Sequence, residues 1–203
     1  LKNIFSIFFL FLFSQCGLKS DKTLAIQPFG TWNEYDTKIV RKALSEFYHK
    51  EIIILPKVEL PKSSFTNLKS PRYRADSLIR YLKRKKTDSI DIVIGLTDKD
   101  ISTTKRMKNG EIKKPVHRYK DWGIFGLGFR PGSSCIVSSF RLKNTNQQKF
   151  EDRLNKICIH EIGHNLGLKH CSNKKCVMTD ACESIKTVDN VNLALCKSCT
   201  SKI

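Results

Sequence analysis

Apolar positions along this chain recur with two periods, and the order in which the periods alternate predicts the fold. Leu24 to Ile26 is a short apolar run closed by Pro28 and Gly30, the mark of a strand. Ile39, Val40, Ala43, Leu44 and Phe47 then recur at helical spacing behind Asp36-Thr37, a plausible helix start. Glu51 to Leu55 reads as a buried strand stopped by Pro56, and the Pro-, Ser-, Lys- and Asn-rich stretch to Pro71 reads as an irregular loop. Tyr73, Ala75, Leu78, Ile79 and Leu82 restore the helical period, Asp91 to Leu96 forms the next strand, and the lysine-rich residues 99–120 read as a loop. This β-α-β-loop-α-β order predicts an α/β (α+β) domain, a mixed β-sheet packed with helices.

Further along, Trp122 to Phe129 is apolar but glycine-laden, which implies backbone packed closely against something else. Cys135 to Leu142 alternates and reads as a half-exposed strand; as an edge strand it could hold an extended peptide by main-chain hydrogen bonds, and as an ordinary hairpin strand it would not. A long helix is expected from Asn146 to Leu166, with Phe150, Leu154, Cys158, Ile162 and Leu166 as a continuous apolar stripe. His160 and His164 fall nearly opposite that stripe, on the face of Arg153 and Lys156, so they face a cleft or solvent rather than filling a core.

Those two histidines belong to the densest chemistry in the chain. Residues 160–164 read H-E-x-x-H, and a spacing of four on a helix projects both imidazoles from one face at the separation one Zn²⁺ needs. Gly167 can take the left-handed conformation that ends a helix, which lets the chain turn back and bring His170 in as a third ligand. Three protein ligands leave one position open, the arrangement of a catalytic zinc, with Glu161 placed to take a proton from water as general base. The reaction suggested is hydrolysis of a peptide bond. A chance H-E-x-x-H on a surface helix is the plain alternative, narrowed by the extension through Gly167 and His170.

Cysteines refine the picture. Cys171 and Cys176 are separated by four residues and Cys196 and Cys199 by two, loops of the kind that offer thiolates to one tetrahedral Zn²⁺; two local disulfides are the alternative. Cys16, Cys135, Cys158 and Cys182 lie outside the set, Cys158 as a core residue of the helix stripe. At the other end, residues 1–16 look like a targeting leader: Lys2 precedes an apolar run from Ile4 to Phe13 too short to span a bilayer, and Cys16 sits as the lipidated Cys of a bacterial lipoprotein would. Export follows as an expectation, with membrane attachment through Cys16 and a cytoplasmic location as the alternative. The folded domain is expected over residues 24–203, one unit in a chain of 203 residues.

Lys plus Arg outnumber Asp plus Glu by 37 to 19, giving a formal net charge of +18 with clusters at Arg72 to Lys86 and Lys99 to Lys120. Such a surface suits nucleic acid, anionic lipid or acidic peptides, or is simply solvated. No aromatic interleaving points to base stacking, so no specific nucleic-acid partner is expected. The competing function reading is a basic zinc-binding module that attaches to nucleic acid or anionic surfaces without catalysis; a relative that binds zinc but no longer cleaves is a third.

Taken together, His160, Glu161, His164, Gly167, Cys171, Cys176, Met178, Cys196 and Cys199 meet the pattern H-E-x-x-H-x-x-G-x-x-x-C, four residues, C-x-M, seventeen residues, C-x-x-C. This resembles the archaemetzincin family, and weaker likeness extends upstream through Leu96 to Asp100 and Ser138 to Leu142. The resemblance implies a compact metallopeptidase domain of zincin (metzincin) type and two Zn²⁺ per chain. His160, His164 and His170 would bind the catalytic zinc, Glu161 would act as base, and Met178 would lie beneath the metal. Cys171, Cys176, Cys196 and Cys199 would form a C-terminal structural zinc clip, and a monomer acting on peptide or protein substrates is expected.

Overall fold

A computed structural model describes residues 22–181 and 184–203; the proposed leader with Cys16, and Cys182, lie outside the described residues. Its main sheet joins β1 (Leu24–Pro28), β2 (Ile52–Ile54), β5 (Ile92–Thr97), β8 (Gly126–Gly128) and β9 (Ser134–Ser138) in the order β2-β1-β5-β9-β8. All neighbours are parallel except β8, which runs antiparallel to β9 at the sheet's edge.

Strand periodicity sorts this sheet's side chains onto two faces. Leu24, Ile26, Ile92, Ile94, Leu96, Cys135 and Val137 meet α1 (Glu34–Tyr48) and α4 (Gln147–Asn165) on one side. Ala25, Val93 and Ile136 meet Leu78, Ile79 and Leu82 of α2 (Ala75–Lys85) on the other. Burial on both faces is what parallel strands require. The sheet and its helices therefore follow the apolar pattern, and α4 begins at Asn146, whose side chain caps the Lys149 N–H at 3.0 Å.

Two strand readings need correction. β2 is an edge strand rather than a buried one, because it pairs only with β1, and Ile53 and Ile54 are each 41% exposed. β9 is buried throughout and lies second from the edge, so β8 takes the edge position assigned to it. Its polar members do not mark a solvent face: Ser134 Oγ donates to Ile79 O at 2.8 Å and Ser138 Oγ to Lys99 O at 2.6 Å.

The two stretches read as loops contribute β3 (Phe65–Thr66) and β6 (Ile101–Thr103), which join β4 (Arg72–Arg74), where Tyr73 is strand rather than helix, and β7 (Trp122–Ile124) in a second sheet of four short strands. Four charges, Asp100 and Asp121 buried, Arg72 half-buried and Arg141 exposed, hold it to the segment after β9. Asp100 accepts from Arg72 Nε at 2.7 Å and from Arg141 Nε and a terminal guanidinium N–H at 2.7 and 2.8 Å, while Arg72 also reaches Asp121 at 3.1 Å. Charge-assisted bonds of this kind are about twice as strong as neutral ones, which lets strands too short to signal their presence by periodicity persist.

The C-terminal half of α4 is buried all round, histidine face included. That face is covered by the chain after residue 170, fastened by a bidentate pair in which Arg153 donates to both oxygens of Asp189 at 2.6 and 2.8 Å. The guanidinium holds the Asp189 carboxyl down at about 2. Asp189 lies in α5 (Ile185–Asn190), and a last short helix, α6 (Lys197–Thr200), carries Cys199.

Candidate metal centres

His160 and His164 leave α4 side by side, 8% and 9% exposed, and each ring is oriented by a backbone carbonyl: Val177 O lies 2.8 Å from His160 Nδ1 and Leu168 O lies 2.8 Å from His164 Nδ1. A carbonyl only accepts, so both rings carry their proton on Nδ1 and present Nε2 as a lone pair. Burial pushes the His160 imidazole down to about 3 and lowers His164 as well, which keeps both neutral. Gly167, at φ +100°, turns the chain as expected, and Leu168 N closes the turn on Gly163 O at 2.9 Å.

That turn delivers His170. Its Nε2 stands 3.2 Å from His164 Nε2, and its Nδ1 faces an Asp180 carboxylate oxygen at 3.4 Å. That separation is within hydrogen-bond reach of the His164 Nε2 lone pair, and it also matches two ligands of one metal ion. Two Zn–N bonds of ~2.0–2.1 Å at a tetrahedral angle place their nitrogens about 3.3 Å apart, so the spacing fits one shared ion. The ligand atoms of His160, His164 and His170 all lie within 4.8 Å of one another.

Glu161 enters the same cleft, of about 390 Å³, from the neighbouring helix position. It packs on the backbone of β8: a Cβ at Gly126 would lie 2.7 Å from Glu161 Cγ and Oε1, so the glycines there are required by this carboxylate. The glycine-laden stretch thus packs closely, as its sequence implies, and what it packs on is Glu161. Burial alone pushes the carboxyl up to about 8. Ser138 N donates to Phe125 O at 2.9 Å and Phe129 N to Ser134 O at 3.4 Å, so the alternate residues Gly126 and Gly128 turn their peptide groups away from β9, toward the open edge.

Cys171, Cys176, Cys196 and Cys199 also converge, their sulfurs within 4.8 Å of one another. All four are free thiols, and Cys171 Sγ to Cys196 Sγ is 3.6 Å. A disulfide needs about 2.05 Å; two ~2.3 Å bonds to a tetrahedral zinc place sulfurs about 3.8 Å apart. A backbone hydrogen bond from Cys199 draws the Cys196 thiol down to about 7, whereas burial raises Cys176 and Cys199. Deprotonating such a set needs a compensating cation, and the donors suit zinc. Cys135 and Cys158 stay apart in the core, Cys158 on the helix stripe as expected.

Met178 joins the two clusters. Its side chain is fully buried, with a Cβ at Gly163 bound to meet Met178 Sδ at 2.5 Å, so it lies directly under the helix turn between His160 and His164. The residues of the H-E-x-x-H and cysteine patterns, with His170, are therefore in one of the two clusters or in the joint between them. Asp180 and Arg130, which also line the cleft, were not singled out, and neither stands in a spacing that would have marked it.

Comparison with known proteins gives a consistent result. A model of peptidase family M54 matches residues 33–203. The archaemetzincin of Archaeoglobus fulgidus is 30% identical over 178 residues, covering 88% of this chain and 96% of that protein. That of Methanocaldococcus jannaschii is 30% identical over 188 residues, covering 89% and 92%. Crystal structures of archaemetzincins from Archaeoglobus fulgidus and Methanopyrus kandleri each superpose with a TM-score of 0.72, at 27% and 25% identity. They cover 89% and 92% of this chain and 99% and 95% of their own.

The buried carboxyl gives a pH test on metal-stripped protein. Glu161's folded value of about 8 lies above its ordinary 4.5, so between these the folded state holds the extra proton and stability falls as pH rises. His160 acts oppositely, adding stability as pH rises toward its ordinary 6.5 and nothing beyond it. From about pH 6.5 to 8 the Cys196 thiol acts oppositely in both proteins, so in urea titrations chelator-treated wild type should lose ~1–2 kcal/mol more stability than Glu161→Gln. Equal losses in the two proteins would contradict this reading of the carboxyl.

Proposed function

The chain belongs to peptidase family M54 and is a zinc metallopeptidase, and from that premise we propose that it cleaves peptide bonds in the cleft between β8 and α4. His160, His164 and His170 would hold the catalytic zinc, and Glu161 would serve as general base. The observation that carries this reading is the convergence of three histidine ring nitrogens with one buried carboxyl group in a single cleft. A basic zinc module that only attaches to anionic surfaces would account for the charge, but not for a carboxylate buried against glycines beside the histidines.

Zinc bound there would supply Lewis acidity, polarising a carbonyl and making water acidic near neutral pH. The remaining work falls to the chain. Peptide groups of Gly126 and Gly128 offer an extended substrate main-chain hydrogen bonds along the open edge. Glu161 accepts the proton of the attacking water and returns it to the leaving amine; a carboxylate whose proton affinity is raised by burial is a stronger base than an exposed one. Val177 O and Leu168 O hold the histidine rings in the tautomer that binds metal. Cys171, Cys176, Cys196 and Cys199 would bind a second, structural zinc, closed by four sulfurs, with Met178 packed between the sites.

The apolar leader before Cys16 adds a location to the proposal: export, with lipidation at Cys16. No described helix is long and apolar enough to cross a membrane, so attachment would rest on that cysteine. Mass spectrometry of protein from its native cells should find residues 1–15 removed and Cys16 modified; an intact, unmodified N-terminus would contradict this.

For the chemistry, Glu161→Gln should keep both zincs and the fold while losing peptide turnover by at least ~10²-fold, since the base is not a ligand. His160→Ala should lose one zinc and keep the other. Metal analysis that finds a single zinc in the wild type, or full turnover in Glu161→Gln, would refute the assignment.

A further inference from the structure

Arg130 stands two residues beyond β8 and lines the cleft that contains His160, Glu161 and His164. Its side chain is exposed, but its backbone is held from both sides. Asn165, the last residue of α4 and almost wholly buried, donates from Nδ2 to Phe129 O at 2.8 Å and to Ser134 O at 3.0 Å. Its own carbonyl accepts from Gly132 N at 3.1 Å. These bonds tie both flanks of Arg130 to the residue next to His164, so the guanidinium is delivered to the rim of the histidine cluster.

Other arginines nearby are spoken for. Arg72 and Arg141 meet Asp100, and Arg153 meets Asp189, each within 2.7 Å. Among the described residues Arg130 makes no such pair. Of the two carboxylates that line the cleft, Asp180 faces His170 and Glu161 packs on the β8 glycines. A planar fork of N–H donors therefore stands unmatched beside the site where a peptide would be cut, and Lys105 also lines that cleft. The fork's natural complement is a planar anion, and the anionic groups a peptide carries are carboxylates.

We propose that Arg130 reads a carboxylate of the peptide substrate close to the scissile bond, so that the cleft prefers peptides bearing Asp, Glu or a free C-terminus there over neutral ones. This rests on the peptidase reading and adds its substrate class. The excess of positive charge on the molecule acts in the same direction, drawing acidic peptides toward the cleft.

The test uses the zinc-loaded full chain and matched peptides that differ by Glu against Gln at each position around the cut, each with a free and an amidated C-terminus. Two readouts are taken: kcat/KM on wild type, and equilibrium binding to Glu161→Gln. One acidic position should be favoured about fivefold over its neutral partner in both, with the preference shrinking as salt is added. Arg130→Gln should abolish the preference, Arg130→Lys should retain part of it, and Arg130→Glu should reverse it toward Lys-bearing peptides. Comparison of internal Glu with the free C-terminus shows which carboxylate is read. Equal handling of acidic and neutral peptides by the wild type, or a preference that survives Arg130→Gln, would overturn the inference while leaving the peptidase reading intact. Arg130-dependent binding of acidic peptides without cleavage would uphold the inference and overturn the peptidase reading.

Discussion

Everything in the C-terminal third hangs on the backbone of one turn, Cys176 to Thr179. Val177 O fixes the His160 ring, Met178 O accepts from Cys171 N at 2.8 Å, and Val177 N reaches Ala194 O at 2.9 Å, just ahead of Cys196. Thr179 Oγ1 returns to Asn173 O, closing the loop on itself. A histidine of one cluster, a cysteine of the other and the irregular segment that brings the last two sulfurs are thus referenced to three consecutive peptide units. Met178, filling the space under Gly163, makes the same turn the floor of the helix.

This arrangement answers a desolvation problem. A carboxyl group, the imidazoles of His160 and His164 and the thiols of Cys176 and Cys199 are buried beside Ile159, Ile162, Val177 and Leu168, with His170, Cys171 and Cys196 closing the two clusters nearer the surface. Burying such groups without partners costs several kcal/mol for each charge. Backbone carbonyls satisfy the Nδ1 protons, and the positions left open are lone pairs and sulfurs, which are satisfied by a cation and by little else. Zinc binding would therefore be linked to folding at both sites, whose donors the chain already brings together. In any oxidising surroundings the same linkage would protect the thiols, because a thiolate committed to metal is less available for oxidation.

Local spacing explains what was legible in the sequence. His160, Glu161 and His164 are placed by the helix period, Gly167 by the need for a positive φ, and each cysteine pair by a short loop; all of these are properties of a few consecutive residues. The apolar pattern likewise placed β1, α1, β5 and α4. What it could not convey depends on which segments become neighbours. Cys135 to Leu142 read as half-exposed because alternation does not show that Lys99 O waits for the Ser138 hydroxyl. β2 read as buried because an Ile run looks the same at an edge as at a centre. Strands of two or three residues within polar sequence gave no period at all, and the ion pairs that fix them join residues far apart in the chain. Arg130 and Asp180 belong to this second class, brought to the cleft by tertiary bonds rather than by a motif.

The central claim is that the two metal clusters form one mechanical unit, since His170 and Cys171 are consecutive residues that serve different clusters. Zinc affinity of the histidine site, measured by competition with a chelator in wild type and in Cys199→Ser, tests this directly. The substitution touches no histidine ligand, so independent sites would give identical affinity and would contradict the account. Coupling through the 170–171 peptide and the turn that holds it is expected to weaken the histidine site by about tenfold, the scale seen when the supports of a metal ligand are removed.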